Sequence, residues 1–171
     1  LLVRADDTDL HSSFSINMNV STVLSQSFLD FDSQLRTGSR GTIVIEFQLI
    51  DVFADLSEFN FARDFLHEKG YRLCLDGISH SSLPVFDRKT LGLDLVKMIW
   101  DKSLIDEDQN GEKFEALRQS VEECGRSRIV MTRCDLPAAI EIGHLLGITM
   151  FQGRYVDALI QENARFGSSA A

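Results

Sequence analysis

The chain has 171 residues, 44% of them hydrophobic, a formal net charge of -9 and a pI near 4.8, which suits one domain with a real core and hardly two. So acidic a chain carries no electrostatic footprint for a nucleic acid polymer or an anionic membrane. No apolar run approaches the roughly 18 residues of a membrane helix, and the N-terminal Leu-Leu-Val-Arg-Ala-Asp-Asp lacks the regions of a signal peptide, so a cytoplasmic location is expected.

In chain order, Leu1 to Leu10 reads as the tail of a helix that begins further upstream. Phe14 to Ser21 alternates apolar and polar residues with period two, predicting a strand with Asn17 and Asn19 on one face. Ser21 is expected to cap a helix through Val23, Leu24, Phe28, Leu29 and Leu35, which ends in the turn Thr37-Gly38-Ser39-Arg40-Gly41. Ile43 to Phe47 is the next strand. Phe59, Ala62 and Leu66 recur at helical spacing, with Phe61 and Phe65 widening the stripe, and Gly70 closes that helix.

Arg72 to Gly77 reads as a buried parallel strand that carries Asp76 to its C-terminal end. A connection through Pro84 and Arg88 leads to a strand over Asp94 to Met98, and Asp101 to Glu112 reads as an acidic surface loop. Phe114, Leu117, Val121 and Cys124 mark a helix stopped by Gly125; Arg128 to Met131 is a strand; Ala138 to Leu146 is a helix stopped by Gly147. The last strand is Ile148 to Phe151, followed by a helix from Tyr155 to about Ala164 and a small-residue tail over 166–171. A helix ending in glycine and followed at once by an apolar strand is the grammar of repeated β/α units. About six such units fit, against the eight of a closed TIM barrel, and no glycine fingerprint follows the first strand as a Rossmann sheet would require. The expected fold is therefore an incomplete or open α/β (β/α) barrel over residues 1–165. Cys74, Cys124 and Cys134 show no zinc spacing and read as buried reduced thiols.

Parallel α/β folds build their sites from polar groups at strand C-terminal ends, here Asn19, Glu46, Asp76, Lys97 and Gln152. In that order and spacing the segments Ile16-Asn17-Met18-Asn19-Val20-Ser21, Ile43-Val44-Ile45-Glu46, Leu73-Cys74-Leu75-Asp76-Gly77 with Ser81-Ser82-Leu83, Asp94-Leu95-Val96-Lys97, Val130 to Asp135 and Phe151-Gln152-Gly153 carry a resemblance. The chain resembles the C-terminal three quarters of an EAL domain, the family of cyclic di-GMP phosphodiesterases. The strand that names the family would lie upstream of Leu1.

Hydrolysis by paired metals needs carboxylates that hold both ions and a base for the attacking water. The resemblance assigns Asn19, Glu46 and Asp76 to a remnant first-metal site for magnesium or calcium and places Lys97 and Gln152 in the ligand pocket with Asp76, while Arg133, which stands where the family has glycine, is a further candidate for holding the ligand. It also puts the second-metal carboxylate at Gly77, an acidic position at Leu49 and the general base at Thr132. None of these three can do that work. The resemblance thus implies a degenerate, catalytically inactive domain that needs no cofactor and serves as a signalling or protein-interaction module. A protein partner or a second copy would be its ligand. The alternatives are a receptor that binds cyclic di-GMP without hydrolysis and a weak phosphodiesterase.

Plainer roles compete for the same residues. Glu46 and Lys97 could form a structural ion pair, Asp76 could cap a helix, Asn19 and Gln152 could satisfy backbone groups, and His80 reads as a solvated loop residue. Arg133, beside the vacated base, could hold a phosphate or block the pocket. Asp106, Asp108, Asn110 and Gly111 match the opening of a calcium loop, yet its required final glutamate is Leu117, so a solvated loop is expected.

Overall fold

The computed structural model describes residues 14–36 and 38–167. The expected helix tail at Leu1 to Leu10 and residues 168–171 of the expected C-terminal tail lie outside them. The described chain forms two compact units, one of residues 14–78 and 87–97, the other of residues 79–86 and 98–167.

In the first unit, strands β1 (Phe14–Asn17), β2 (Ile43–Gln48), β3 (Arg72–Ser79) and β4 (Leu95–Ile99) are hydrogen-bonded in that order, β4 passing into the second unit at Met98. In the second, the sheet continues from β4 through β5 (Ile129–Thr132) to β6 (Met150–Phe151). The pairs β1/β2, β2/β3 and β5/β6 are parallel. Between the strands run α1 (Val20–Val23), α2 (Gln26–Gln34), α3 (Leu49–Ala54), α4 (Leu56–Lys69), α5 (Ser103–Asp106), α6 (Glu112–Cys124) and α7 (Pro137–Leu145), and α8 (Arg154–Gly167) follows β6. Six strands in chain order, separated by helices, are the β/α units expected of a partial TIM-barrel-like fold.

The continuous apolar runs explain the strands. Ile43 through Phe47 and Leu73 through Leu75 are buried without alternation, because a parallel strand is covered on both faces. Helix α4 shows how the intervening pieces are fixed. The Asp55 carboxylate accepts from the backbone N–H of Ser57 and Glu58, both at 2.9 Å, and Gly70 ends the helix at φ 87°. Phe59, Ala62 and Leu66 are wholly buried between those caps.

Several expectations are corrected. The first strand stops at Asn17, and Asn19 stands at the N-cap position of α1, so Asn17 and Asn19 do not share a strand face. The single helix expected from Ser21 to Leu35 is two: Ser25 turns extended, φ -90° and ψ 158°, and its hydroxyl caps α2 by accepting from the N–H of Phe28. That break resets the helical phase, burying Val23 and Phe28 while Leu24 and Leu29 face solvent. Phe61 is 67% exposed and does not widen the α4 stripe. The acidic stretch from Asp101 holds the short helix α5, anchored by buried Leu104. Cys74, Cys124 and Cys134 are buried and unpaired with one another.

Candidate functional site

In the first unit the polar residues converge on Glu46. It sits fourth in β2, 3% exposed, because the surrounding strand residues leave its side chain no route to solvent. Lys97, third in β4 and 8% exposed, sets Nζ 2.6 Å from Oε1 and 2.7 Å from Oε2. The Ser15 hydroxyl of β1 also donates to Oε1. Two buried charges so placed need each other, since either alone would be stranded in a low-dielectric core.

Asp76 lies beside Gln48 in the β2/β3 register, and the Gln48 amide donates to Asp76 Oδ2 at 3.0 Å. Gly77 follows at φ 97°, a left-handed conformation that suits glycine and strains a residue bearing a carboxylate. Asn19 is exposed and its side chain makes no cap bond; its backbone carbonyl accepts from Thr22 at 3.0 Å and Val23 at 3.3 Å. The capping carboxylate for α1 is instead Asp51 of α3, 2.6 Å from the N–H of Val20. Leu49 opens α3. Asp94 turns its carboxylate inward, accepting from the N–H of Leu73 at 2.9 Å.

In the second unit, Thr132 ends β5, buried, its hydroxyl 3.4 Å from the Met98 carbonyl. Arg133 is exposed at φ 59°, so the chain here takes the turn that glycine takes most easily, with a guanidinium attached. Gln152 is held through its backbone: its N–H donates to the Met131 carbonyl at 2.9 Å and its carbonyl accepts from Cys134 at 3.0 Å, leaving the side chain exposed. Arg154 is bound to Asp135, with Nη2 2.8 Å from Oδ2 and its backbone N–H 2.9 Å from Oδ1. The Arg154 guanidinium holds the Asp135 carboxyl below the usual carboxylate range. Burial pushes the Cys134 thiol up to about 11 and raises Cys74 further still, so neither is a ready thiolate. Asp108, from the expected calcium-like stretch, spends its carboxylate on the N–H of Asn110 at 3.0 Å. His80, expected to be solvated, is half-buried with Nδ1 shielded.

The structure therefore joins Glu46 to Lys97 and leaves Asn19 exposed with no side-chain cap bond. Sequence reasoning missed Ser15 and Gln48. Their only signal was the parallel register, which sets β1 beside Glu46 and Gln48 beside Asp76. It also missed the buried Asp32, which Arg40 Nε approaches to 2.6 Å, Lys69 Nζ to 3.1 Å and the Tyr71 hydroxyl to 2.8 Å. Hydrogen bonds from Arg40 first, then Tyr71 and Lys69, hold the Asp32 carboxyl far below its ordinary value, and burial pushes Tyr71 up to about 12.

No protein-family model and no curated protein sequence matches the chain. Solved structures do. The LapD S helix-GGDEF-EAL protein of Vibrio cholerae, bound to c-di-GMP, is 14% identical with a TM-score of 0.64 over 86% of this chain and 37% of that one. The YkuI protein of Bacillus subtilis, with an EAL domain in complex with c-di-GMP and calcium, gives 14%, 0.64, 88% and 38%. The FimX EAL domain of Xanthomonas citri, in complex with c-diGMP, gives 12%, 0.66, 85% and 59%. The chain thus spans between 37% and 59% of the length of these matches. Along most of its length, the chain has part of the EAL-domain fold, an incomplete TIM-barrel-like arrangement of β/α units.

Proposed function

We propose that the chain is a catalytically inactive EAL-like domain acting as a protein-interaction module in bacterial cyclic di-GMP-related signalling in the cytoplasm. The observation that carries this reading is the saturation of Glu46. A carboxylate that already accepts from Lys97 on both oxygens and from Ser15 on one has little left to offer a divalent ion.

The residues present do not fit a paired-metal centre. Asp76 is shared with Gln48, Gly77 offers no side chain where a second metal would need one, and Thr132 offers a buried hydroxyl where a base would stand. Among the described residues no three His, Cys, Asp or Glu side chains gather around one point. A missing general base alone is worth about two to four powers of ten in rate.

Charge supports a protein ligand over a dianionic nucleotide. Lys97 is neutralised by Glu46 and Arg154 by Asp135, on a chain of net charge -9. In the first unit, Ile50 at 83%, Phe53 at 52% and Phe61 at 67% exposure offer apolar surface to a partner. One observation favours the receptor reading: Arg133 presents its guanidinium from a left-handed backbone, the kind of strain that accompanies ligand sites.

Calorimetric titration of cyclic di-GMP into the full chain, with and without magnesium or calcium, separates the two. The interaction module predicts no saturable heat under any metal condition. Saturable micromolar binding without turnover would make it a receptor.

A further inference from the structure

Helix α3 departs from the pattern of the other helices in the first unit. Five of its six residues, Leu49, Ile50, Val52, Phe53 and Ala54, are apolar. Val52 is wholly buried, so a turn of about 100° per residue carries Ile50, Phe53 and Ala54 round to the far side. All three are exposed there, Ile50 at 83% and Phe53 at 52%. A helix that is apolar all round belongs in a core, whereas a surface helix turns polar residues outward. α3 does neither. Its one polar residue, Asp51, is turned toward α1, where it accepts from the N–H of Val20 at 2.6 Å. Leu56, 43% exposed at the start of α4, adds to the apolar surface.

The charge around this face has one sign. Between Arg40 and Arg63 the chain holds no Lys, Arg or His, and it holds the carboxylates of Glu46, Asp51, Asp55 and Glu58. Lys97 neutralises Glu46, but Asp51 and Asp55 are bonded to backbone N–H groups, which leaves their charge in place. The cations that flank the stretch are engaged elsewhere, Arg40 and Lys69 on Asp32 and Arg63 on Asp64. The exposed apolar side chains therefore stand in negative potential.

We infer that the outer face of α3, with Leu56, docks a basic amphipathic helix of a protein partner. Apolar anchors one turn apart on that helix seat on Ile50 and Phe53, and Lys or Arg beside them are drawn by Asp51, Asp55 and Glu58. The inference rests on the interaction-module reading and gives the partner its chemistry. A second copy of this chain fits poorly, because each copy carries a net charge of -9 and would bring the same carboxylates against each other. The area agrees. Three or four partly exposed apolar side chains offer on the order of 300 Å², against about 800 Å² per partner in a stable dimer. That is the scale of a single helix held by a few anchors.

The test is a titration of the full chain with a synthetic amphipathic helix of two Leu-Lys-Lys-Leu-Leu-Lys-Leu repeats, followed by heteronuclear NMR, and separately with its Leu-Glu-Glu-Leu-Leu-Glu-Leu counterpart. The Lys peptide should shift Ile50, Phe53 and Leu56 saturably, half-saturating at about 20 µM, and the Glu peptide should bind at least tenfold more weakly. Ile50→Ser with Phe53→Ser should weaken the Lys peptide at least tenfold, whereas Val85→Ser, which removes an 89% exposed apolar side chain from the second unit, should leave it unchanged. The mapping on the unaltered chain stands even if a variant fails to fold. The inference is overturned by shifts confined to residues away from α3, by equal affinity for the two peptides, by undiminished binding to the double variant, or by sedimentation showing a dimer that the double variant dissolves. Saturable binding of cyclic di-GMP to the same sample would instead overturn the interaction-module reading, which keeps the two failures distinct.

Discussion

Glu46 and Lys97 show how two buried charges on strands β2 and β4 satisfy each other. Each is buried, each neutralises the other, and their distances of 2.6 and 2.7 Å leave no room for an ion between them. Removing one partner strands the other, which costs about 3 kcal/mol or more, whereas replacing both by apolar residues of similar volume is far gentler. Urea unfolding of Glu46→Leu, Lys97→Met and the double variant should therefore give a double change well below the sum of the two singles. Additive effects would mean that the pair is not coupled. Asp32 offers a second check through pH. Its carboxyl is held far below its unfolded value, so its stabilisation is fully present above about pH 4 and is lost as pH falls below that toward the folded value. Asp32→Asn should lower stability at pH 7 by about 2 kcal/mol and flatten the decline between pH 5 and pH 2, as read by unfolding curves across that range. A parallel decline in both proteins would remove Asp32 from the account.

At the scale of elements, the burial pattern along α4 separates residues that the sequence makes look equivalent. Phe59 is wholly buried and stacks edge-on against Phe47 with ring centroids 5.7 Å apart, whereas Phe61 stands 67% exposed two positions on. Phe59→Ala should cost about 3 to 5 kcal/mol and Phe61→Ala less than about 0.5 kcal/mol, compared by urea midpoints. What was legible in the sequence follows the same logic. Strands with continuous apolar runs and helices ending at Gly70, Gly125 or Gly147 could be placed because local chemistry fixes them. The break at Ser25 was hidden, since serine is tolerated inside a helix and only the tertiary position of Phe28 reveals the cap. Asn19 was placed on a strand by alternation alone. The capping of α1 by Asp51 depends on residues 31 positions apart, which no window along the chain reports. In the site, Glu46, Asp76 and Lys97 were visible as polar interruptions of apolar strands; that Ser15 and Gln48 would claim their oxygens was not.

For the whole molecule, the order of six strands with helices between them was readable, and structures at 12% to 14% identity share it. A fold survives such divergence because packing tolerates substitutions of similar volume, so the shared arrangement of strands and helices carries no chemistry with it. Among the described residues no helix is long and apolar enough to cross a membrane. We propose that the scaffold remains and the catalyst does not. The most direct measurement is a hydrolysis assay: cyclic di-GMP incubated for hours with the full chain at stoichiometric concentration, with magnesium, manganese or calcium, and the linear dinucleotide quantified by chromatography. The account predicts no product above the protein-free control with any of the three ions; metal-dependent accumulation of the linear product would contradict it.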